Sequence, residues 1–140
     1  NLDAHFDLRM AHAGNSGTPF RQIQELCAAQ GRAFCYRVLG ISRYANTQAL
    51  FERADALGVR YWLDDVLQTE AGMQQALAAL AQELQACDAV YLSIDIDVLP
   101  GAVAPGVSAP APPCRVSLPS PPYRLSAPSP PARLSLPTAP

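Results

Sequence analysis

The chain changes character near residue 100, and this change limits how much of it can form a packed core. All 12 acidic residues lie at or before Asp97, whereas every one of the 14 prolines except Pro19 lies at or after Pro100. Proline lacks a backbone N–H and fixes φ, so a proline-dense segment forms neither a helix interior nor a central strand. With 140 residues in all, we expect one domain over residues 1–110 and a tail over residues 111–140.

The domain part alternates between the patterns of helices and strands. Apolar residues recur at helical spacing in three segments, the first of which starts with Thr18 as N-cap and Pro19 in its first turn. Helices are predicted over residues 18–31, 47–58 and 71–86. Strands are predicted at residues 1–7, 34–39, 59–63 and 89–96. This alternation is typical of an α/β domain with a mostly parallel sheet, which places its chemistry beyond the carboxyl ends of the strands.

The tail carries a nine-residue repeat that begins at Pro112. Its three copies are PPCRVSLPS, PPYRLSAPS and PPARLSLPT. Such a sequence predicts a disordered, extended polyproline-II coil. Its PxxP-type spacings would suit the grooves of SH3 or WW domains. We favour the other interpretation, a low-complexity segment or the out-of-frame translation of repetitive DNA.

Charge and hydropathy argue against some classes of partner. The formal net charge is −2, and the ten basic residues, all arginines, form no cluster. This argues against a nucleic-acid or anionic-membrane surface. No apolar run approaches the ~20 residues of a membrane span, and the first residues lack the pattern of a signal peptide. We expect a cytoplasmic protein that acts on a small molecule.

The cysteines predict neither a zinc site nor a disulfide framework. They are Cys27, Cys35, Cys87 and Cys114, with no C-x-x-C pair. We expect the first three to be buried free thiols and Cys114 to be incidental.

Two acidic motifs stand at predicted strand ends. Asp3, His5 and Asp7 alternate along the chain, so on a strand their side chains project from one face. Asp95 and Asp97 repeat this spacing near the other end of the domain. Carboxylates facing one crevice repel each other unless cations neutralise them, and oxygen ligands with one imidazole suit a hard divalent ion such as Mn²⁺. Either motif alone is compatible with an N-cap or a solvated loop, but together they predict a site for two ions.

These motifs, DAHFD at residues 3–7 and SIDID at residues 93–97, resemble the metal signatures of the ureohydrolase superfamily. The segment NSGTPF at residues 15–20 lacks the His that agmatinases place before Gly-Thr-Pro-Phe, and it lacks the longer loop of arginases. Residues 98–110 also depart from the Asp-Pro and Gly-Thr-Gly-Thr-Pro motifs usual in both. With residues 1–9, these features resemble the formimidoylglutamase family, and the resemblance covers residues 1–110.

The resemblance implies a three-layer arginase-like α/β fold with a mostly parallel sheet, of which this chain would contain an incomplete part. It implies a hydrolase with two Mn²⁺ ions that converts N-formimidoyl-L-glutamate to formamide and L-glutamate in histidine degradation. Asp3 and Asp95 would bridge the two ions. His5 and Asp97 would complete the coordination of one ion, and Asp7 would serve the other. Asp7 would also carry a proton towards the departing glutamate amine.

The resemblance places the substrate's carboxylates against the loop that contains Asn15 and Ser16. Arg9 or Arg21 would be a bidentate partner, although each arginine alone is typical of an ordinary surface cation. His12 is expected to be exposed, without a role.

Two further family features, a Gly-Gly-Asp-His motif that supplies a metal ligand and a substrate-pocket Glu, are not found in this sequence. We therefore expect a fragment that binds at least one ion weakly and has little or no activity by itself. The full-length protein would be a homo-oligomer. Another ureohydrolase, agmatinase-like or guanidinobutyrase-like, would share every metal ligand and differ in the substrate loop. A non-catalytic binding module that uses the Pro-rich tail is the other alternative.

Overall fold

The computed structural model of the chain describes residues 1–107. In chain order its elements are α1 (Pro19–Ala29), β1 (Arg37–Ile41), α2 (Gln48–Ala56), β2 (Arg60–Leu63), α3 (Asp64–Leu67), α4 (Glu70–Leu84) and a 3-10 helix (Ile96–Val98). The predicted disordered tail at residues 111–140, and Cys114 within it, lie outside the described residues.

The three predicted helices are confirmed as α1, α2 and α4. Helix α1 has Thr18 as N-cap and Pro19 in its first turn, and α4 begins after Thr69, whose side chain accepts the Gly72 N–H. The single turn of α3 was not predicted because four residues are too few to show a helical repeat. No helix in the described part of the chain is long and apolar enough to cross a membrane.

Strands β1 and β2 form a parallel pair connected through α2. The register shifts between Leu39 and Ile41, and Ile41 then pairs with Leu63. Gly40 stands at this irregularity with a φ of 102°, a conformation that favours glycine. The strand predicted at residues 34–39 is present, but its bounds are wrong: β1 begins at Arg37, and pairing continues past the irregularity to Ile41. The predicted strand at residues 59–63 is confirmed as β2.

Leu2 extends the sheet beyond β1. It makes isolated parallel bridges to Leu39 of β1 and to Ile94. Four segments thus run side by side in one direction, in the order β2, β1, Leu2, Ile94. The prediction of a mostly parallel sheet is confirmed for the described residues.

Regular strands at residues 1–7 and 89–96 are wrong predictions. Only Leu2 and Ile94 pair, and residues 3–7 form no further bridge in the described structure, with Asp7 at a φ of 53°. The apolar residues that precede Ile94 are exposed. A strand needs neighbours that bond its N–H and C=O groups and cover its apolar faces, and among residues 1–107 this segment has a neighbour only at Leu2.

Phe6 joins the site to the hydrophobic core. Its fully buried ring makes edge contacts with Phe51 of α2 and Tyr61 of β2, with 5.0 Å between ring centroids in each case. The other buried residues of this core are Leu8, Phe20, Tyr36, Val38, Ile41, Leu50, Ala54 and Val59. Because Phe6 lies between His5 and Asp7 in the sequence, its burial anchors the chain that carries both.

The prediction of free thiols is confirmed for the three described cysteines, whereas the prediction that they are buried is wrong for two of them. Cys27, Cys35 and Cys87 are free thiols, but Cys27 is only partly buried and the other two are exposed. Cys35 precedes β1 and Cys87 follows α4, so both lie in surface connections rather than in the core.

Candidate metal centre

The two acidic motifs lie where neighbouring parallel segments leave the sheet. The Asp95 N–H donates to the Leu2 carbonyl at 2.8 Å, and the Asp3 N–H donates to the Leu39 carbonyl at 3.0 Å. Beyond these bonds both segments turn away from the sheet, the second into the 3-10 helix that contains Asp97. The carboxyl ends of the two segments therefore present both motifs to one space.

Asp3, His5 and Asp97 form a compact cluster in that space. One ligand atom from each lies within 4.8 Å of the other two. The His5 Nδ1 lies 2.7 Å from Asp97 Oδ2 and 3.7 Å from Asp3 Oδ1. Both carboxylates are buried and the imidazole is partly buried, so three donors converge from residues far apart in the sequence.

Hydrogen bonds fix the two carboxylates in place. Asp97 Oδ1 accepts the Ala4 N–H at 3.0 Å, which ties the second motif to the first. Asp3 Oδ1 accepts the His5 N–H at 2.7 Å, and Asp3 Oδ2 accepts from Asn1 Nδ2 at 3.0 Å. The carboxylates are thus oriented by the chain itself, as the ligands of a metal site must be.

The cluster concentrates negative charge in a poorly solvated place. Burial, and then the charge of Asp3, raises the pKa of Asp7 to about 7. Burial also raises the pKa of Asp97, and the Asp3 and Asp97 carboxylates raise that of His5. These shifts show that the ionised carboxylates lack full compensation from the single imidazole.

A divalent cation fits this arrangement. The donor set is two carboxylate oxygens and one imidazole nitrogen, which suits a hard or borderline ion. Softer ions prefer thiolate ligands, and this cluster contains none. A bound cation would supply the positive charge that neutralises the two buried carboxylates.

The structure brings together three of the five predicted metal ligands and leaves two outside the compact cluster. Asp95 is exposed, and its Oδ1 accepts the Asp97 N–H at 3.0 Å as the cap of the 3-10 helix. Asp7 is partly buried, and its main-chain carbonyl accepts the Arg21 N–H at 3.2 Å. The charge of Asp95 nevertheless contributes to the raised pKa of Asp7, so both stand near the cluster. Their roles as ligands stay predictions.

The predicted substrate residues lie in one loop. Asn15 Oδ1 accepts the Gly17 N–H at 2.9 Å, so this side chain shapes the loop, and both Asn15 and Ser16 are exposed. The Arg9 N–H donates to the Gly17 carbonyl at 2.9 Å, which places Arg9 beside the loop. Arg21 instead pairs with Glu25 along α1, with 2.7 Å between Nη1 and Oε1. Arg21 is thus engaged along α1, whereas Arg9 is exposed beside the loop.

Sequence reasoning missed three residues that shape the centre. Tyr36, Gly40 and Asn46 contact the segment that carries Asp3 and His5. Only Gly40 gave a signal in the sequence, as a glycine inside an apolar strand, a pattern that indicates a bulge or a close backbone approach.

The raised pKa values predict how pH acts on the metal-free chain. Asp7, Asp97 and His5 all bind protons more tightly when folded, so their stabilisation is complete below the unfolded pKa values. This stabilisation is lost as pH rises through the pKa values of the folded chain, and the pKa of Asp7 in the folded chain is about 7. We expect the contribution of Asp7 to lower the melting temperature without metal as pH rises from about 4 to about 7.

Two variants check this prediction in thermal unfolding measurements. Asp7→Asn should flatten the decline, whereas Asp88→Asn, which removes an exposed carboxylate elsewhere, should leave it unchanged. Saturating Mn²⁺ should reverse the trend, because metal ligands must be deprotonated. If the melting temperature falls with pH equally steeply in the parent chain and in Asp7→Asn, the assignment of the effect to Asp7 is contradicted.

A parallel sheet with an Asp/His/Asp cluster at its carboxyl edge defines an α/β protein with a candidate metal centre. The family model described as the Arginase family matches residues 1–113. The chain belongs to the arginase family.

Within this family the chain is similar to formimidoylglutamases. It is 55% identical over 111 residues to the enzyme of that name from Cupriavidus pinatubonensis, with 79% of this chain and 35% of the relative covered. It is 57% identical over 115 residues to the formimidoylglutamase from Hahella chejuensis, with 79% and 34% covered. A crystal structure of formimidoylglutamase from Bacillus subtilis matches 79% of this chain and 35% of its own, with a TM-score of 0.65 and 28% identity.

The structural match confirms the predicted arginase-like fold. The chain spans about a third of the length of the curated relatives that it matches.

Proposed function

We propose that residues 1–107 form the metal-binding part of a binuclear manganese hydrolase. Its reaction would be the cleavage of the C–N bond of N-formimidoyl-L-glutamate to give formamide and L-glutamate, a step in histidine degradation. The observation that carries this proposal is the Asp3–His5–Asp97 cluster, whose ligand atoms lie within 4.8 Å of one another. The similarity to proteins named formimidoylglutamase supports the choice of substrate.

The proposal assigns the ligands as follows. Asp3 and Asp95 would be ligands of both ions, His5 and Asp97 would complete the coordination of one ion, and Asp7 would serve the other. When bound, the two ions supply Lewis-acid activation of water and of the amidine carbon. Asp7 is partly buried beside the cluster, and a positioned carboxyl group can act as a general acid or base. We assign to its carboxyl group the transfer of a proton to the departing glutamate amine.

The loop around Asn15 would receive the glutamate end of the substrate. Arg9 lies beside this loop and carries a guanidinium group, which binds carboxylates through two parallel hydrogen bonds. The Asn15 Nδ2 group and the Ser16 hydroxyl are neutral donors to the same carboxylates. This set of donors favours a dicarboxylate over a cationic substrate such as agmatine.

We also propose that the protein acts in the cytoplasm and that its full-length form is a homo-oligomer. The cysteines Cys27, Cys35 and Cys87, all free in the described residues, are typical of a reducing compartment.

A chimera tests the proposed reaction, because the chain spans only part of its relatives. Residues 1–107 would replace the matching segment of the Cupriavidus pinatubonensis enzyme, which is 55% identical over the match. We expect formamide release from N-formimidoyl-L-glutamate, with kcat/KM for this substrate exceeding that for agmatine by at least about 100-fold. The unmodified enzyme from the same organism is the reference.

Two variants of the chimera show whether this chain supplies the selectivity. Arg9→Gln should raise KM for N-formimidoyl-L-glutamate about tenfold or more, whereas Arg32→Gln, at an exposed position after α1, should not. A folded, Mn²⁺-binding chimera that prefers agmatine would contradict the substrate assignment.

A further inference from the structure

The segment that carries Asp3, His5 and Asp7, here called the ligand loop (residues 3–7), is buried without being a strand. Ala4 and Phe6 are fully buried, yet among the described residues the loop has no run of ladder hydrogen bonds. Buried backbone N–H and C=O groups need partners, because leaving one unpaired costs about as much as a lost hydrogen bond. The main chain supplies part of these partners, among them the Ser42 N–H, which donates to the Ala4 carbonyl at 3.0 Å, and side chains supply the rest.

Asn46 bonds two of these backbone groups with a single side chain. It lies between β1 and α2, and its side chain is buried. Its Oδ1 accepts the Phe6 N–H at 3.1 Å, and its Nδ2 donates to the Ala4 carbonyl at 2.8 Å. The same Nδ2 donates to the Ser42 carbonyl at 2.9 Å. One amide thus bonds the backbone on both sides of His5 and ties it to the end of β1.

The other contacts of the loop close around the same two residues. The Tyr36 hydroxyl donates to the Phe6 carbonyl at 3.2 Å. The Ala4 N–H donates to Asp97 Oδ1 at 3.0 Å. The direction of the His5 Cα–Cβ bond, and hence the approach of Nδ1 to Asp97, follows from this frame. In it, Asn46 bonds the Phe6 N–H on one side of His5 and, together with the Ser42 N–H, the Ala4 carbonyl on the other.

We propose that Asn46 is a positioning residue for the metal centre. Its carboxamide holds the peptides that flank His5, so that the imidazole meets Asp97 and Asp3 at one point. This inference rests on the proposed function, since it takes the cluster to be a metal site.

A purely structural Asn46 and a positioning Asn46 predict different results. If the residue only stabilises the fold, its loss lowers the melting temperature and leaves the metal affinity of the folded chain unchanged. If it positions His5, the affinity falls by more than any equally destabilising change elsewhere would cause. Partners that orient metal ligands typically account for 10–100-fold in affinity.

Asn46→Asp is the most informative variant. It has nearly the same shape and retains an oxygen for the Phe6 N–H, but it loses the donor to the Ala4 and Ser42 carbonyls. It also adds negative charge beside the site, which by itself strengthens cation binding. Weaker binding in this variant therefore reports the loss of position rather than a change of charge.

The experiment measures Mn²⁺ affinity by calorimetry, the visible absorption of bound Co²⁺ and thermal unfolding on the 140-residue chain. The variants are Asn46→Asp, Asn46→Ala and the control Leu50→Ala, a buried core change on α2. We expect both Asn46 variants to weaken Mn²⁺ binding by at least about tenfold and to alter the Co²⁺ spectrum. Leu50→Ala should lower the melting temperature as much or more, with Mn²⁺ affinity within about threefold of the parent.

The outcomes separate this inference from the proposed function. If the parent chain binds Mn²⁺ and Asn46→Asp binds it equally well with an unchanged Co²⁺ spectrum, the positioning role is overturned and the metal site stands. If Leu50→Ala weakens binding as much as the Asn46 variants do, the effect of Asn46 is stability alone and the role is again overturned. If the parent chain binds no Mn²⁺, the proposed metal site fails, and the inference fails with it.

Discussion

Replacing Asp97 with Asn should abolish Mn²⁺ binding at the Asp3–His5–Asp97 cluster and leave the fold intact. The Asn side chain keeps an oxygen that can accept the Ala4 N–H, so the bond that ties the two motifs together survives. What disappears is a buried carboxylate 2.7 Å from the His5 Nδ1. We expect the Mn²⁺ dissociation constant to rise by at least about 100-fold, since even indirect partners of metal ligands account for 10–100-fold.

The stability of the metal-free chain should not fall in Asp97→Asn. Burial raises the pKa of Asp97, which means that the fold disfavours its ionised form, and an amide carries no charge. Asp88→Asn is the matched control, because it removes one carboxylate from an exposed position outside the cluster. Calorimetric titration that finds the parental affinity in Asp97→Asn would exclude Asp97 as a ligand.

Gly40→Ala should be among the most damaging single substitutions in the described domain. A β-carbon at this position would overlap Val98 Cγ2 and lie 3.3 Å from the Asp3 carbonyl oxygen. A left-handed φ costs a residue with a side chain about 1–2 kcal/mol. Forcing a methyl group into filled space costs about a further 1–3 kcal/mol. Relief of the overlap would displace Val98 and with it the adjacent Asp97, so Mn²⁺ affinity should fall together with stability.

The variant Gly31→Ala separates the cost of a positive φ from the cost of the steric overlap. Gly31 also has a positive φ, 64°, but a β-carbon there would meet nothing within 4 Å. We expect this control to cost about 1–2 kcal/mol in denaturant unfolding and to leave Mn²⁺ affinity unchanged. Equal losses of stability and of Mn²⁺ affinity in the two variants would show that the contact between Gly40 and Val98 does not shape the centre.

Much of the fold was predictable because local signals and tertiary structure agree in the helices. Thr18 and Pro19 mark the start of α1, and the glycines that follow α1 and α2, Gly31 and Gly58, have positive φ values. The parallel pairing of β1 and β2 follows from the helix between them. These features depend on residues close together in the sequence, which is why pattern alone was sufficient.

The strand at residues 89–96 was not predictable in the same way, because strand formation depends on the neighbours. Its apolar run is typical of a segment covered on both faces, but among the described residues only Leu2 pairs with it, through Ile94. The apolar pattern indicates which side chains favour burial. It does not indicate whether another segment is present to cover them.

Asp3, His5 and Asp7 were proposed as site residues because alternate residues of a strand project from one face, and the structure supports this reasoning only in part. Asp3 and His5 meet Asp97, but they do so from a loop held by side chains rather than from one face of a strand. The residues that hold this loop, Tyr36 and Asn46, are 30 or more positions from Phe6, to which both are bonded. Such contacts leave no periodic signal in the sequence, because they depend on how distant segments pack.

Anomalous scattering tests the central claim, that Asp3, His5 and Asp97 hold a metal ion, more directly than any affinity measurement. Crystals of the chimera grown with Mn²⁺ would be measured on both sides of the manganese absorption edge. We predict an anomalous peak within bonding distance of the Asp97 and Asp3 carboxylates and the His5 imidazole. Density that shows a loaded chimera without a manganese peak at these three side chains would contradict the claim.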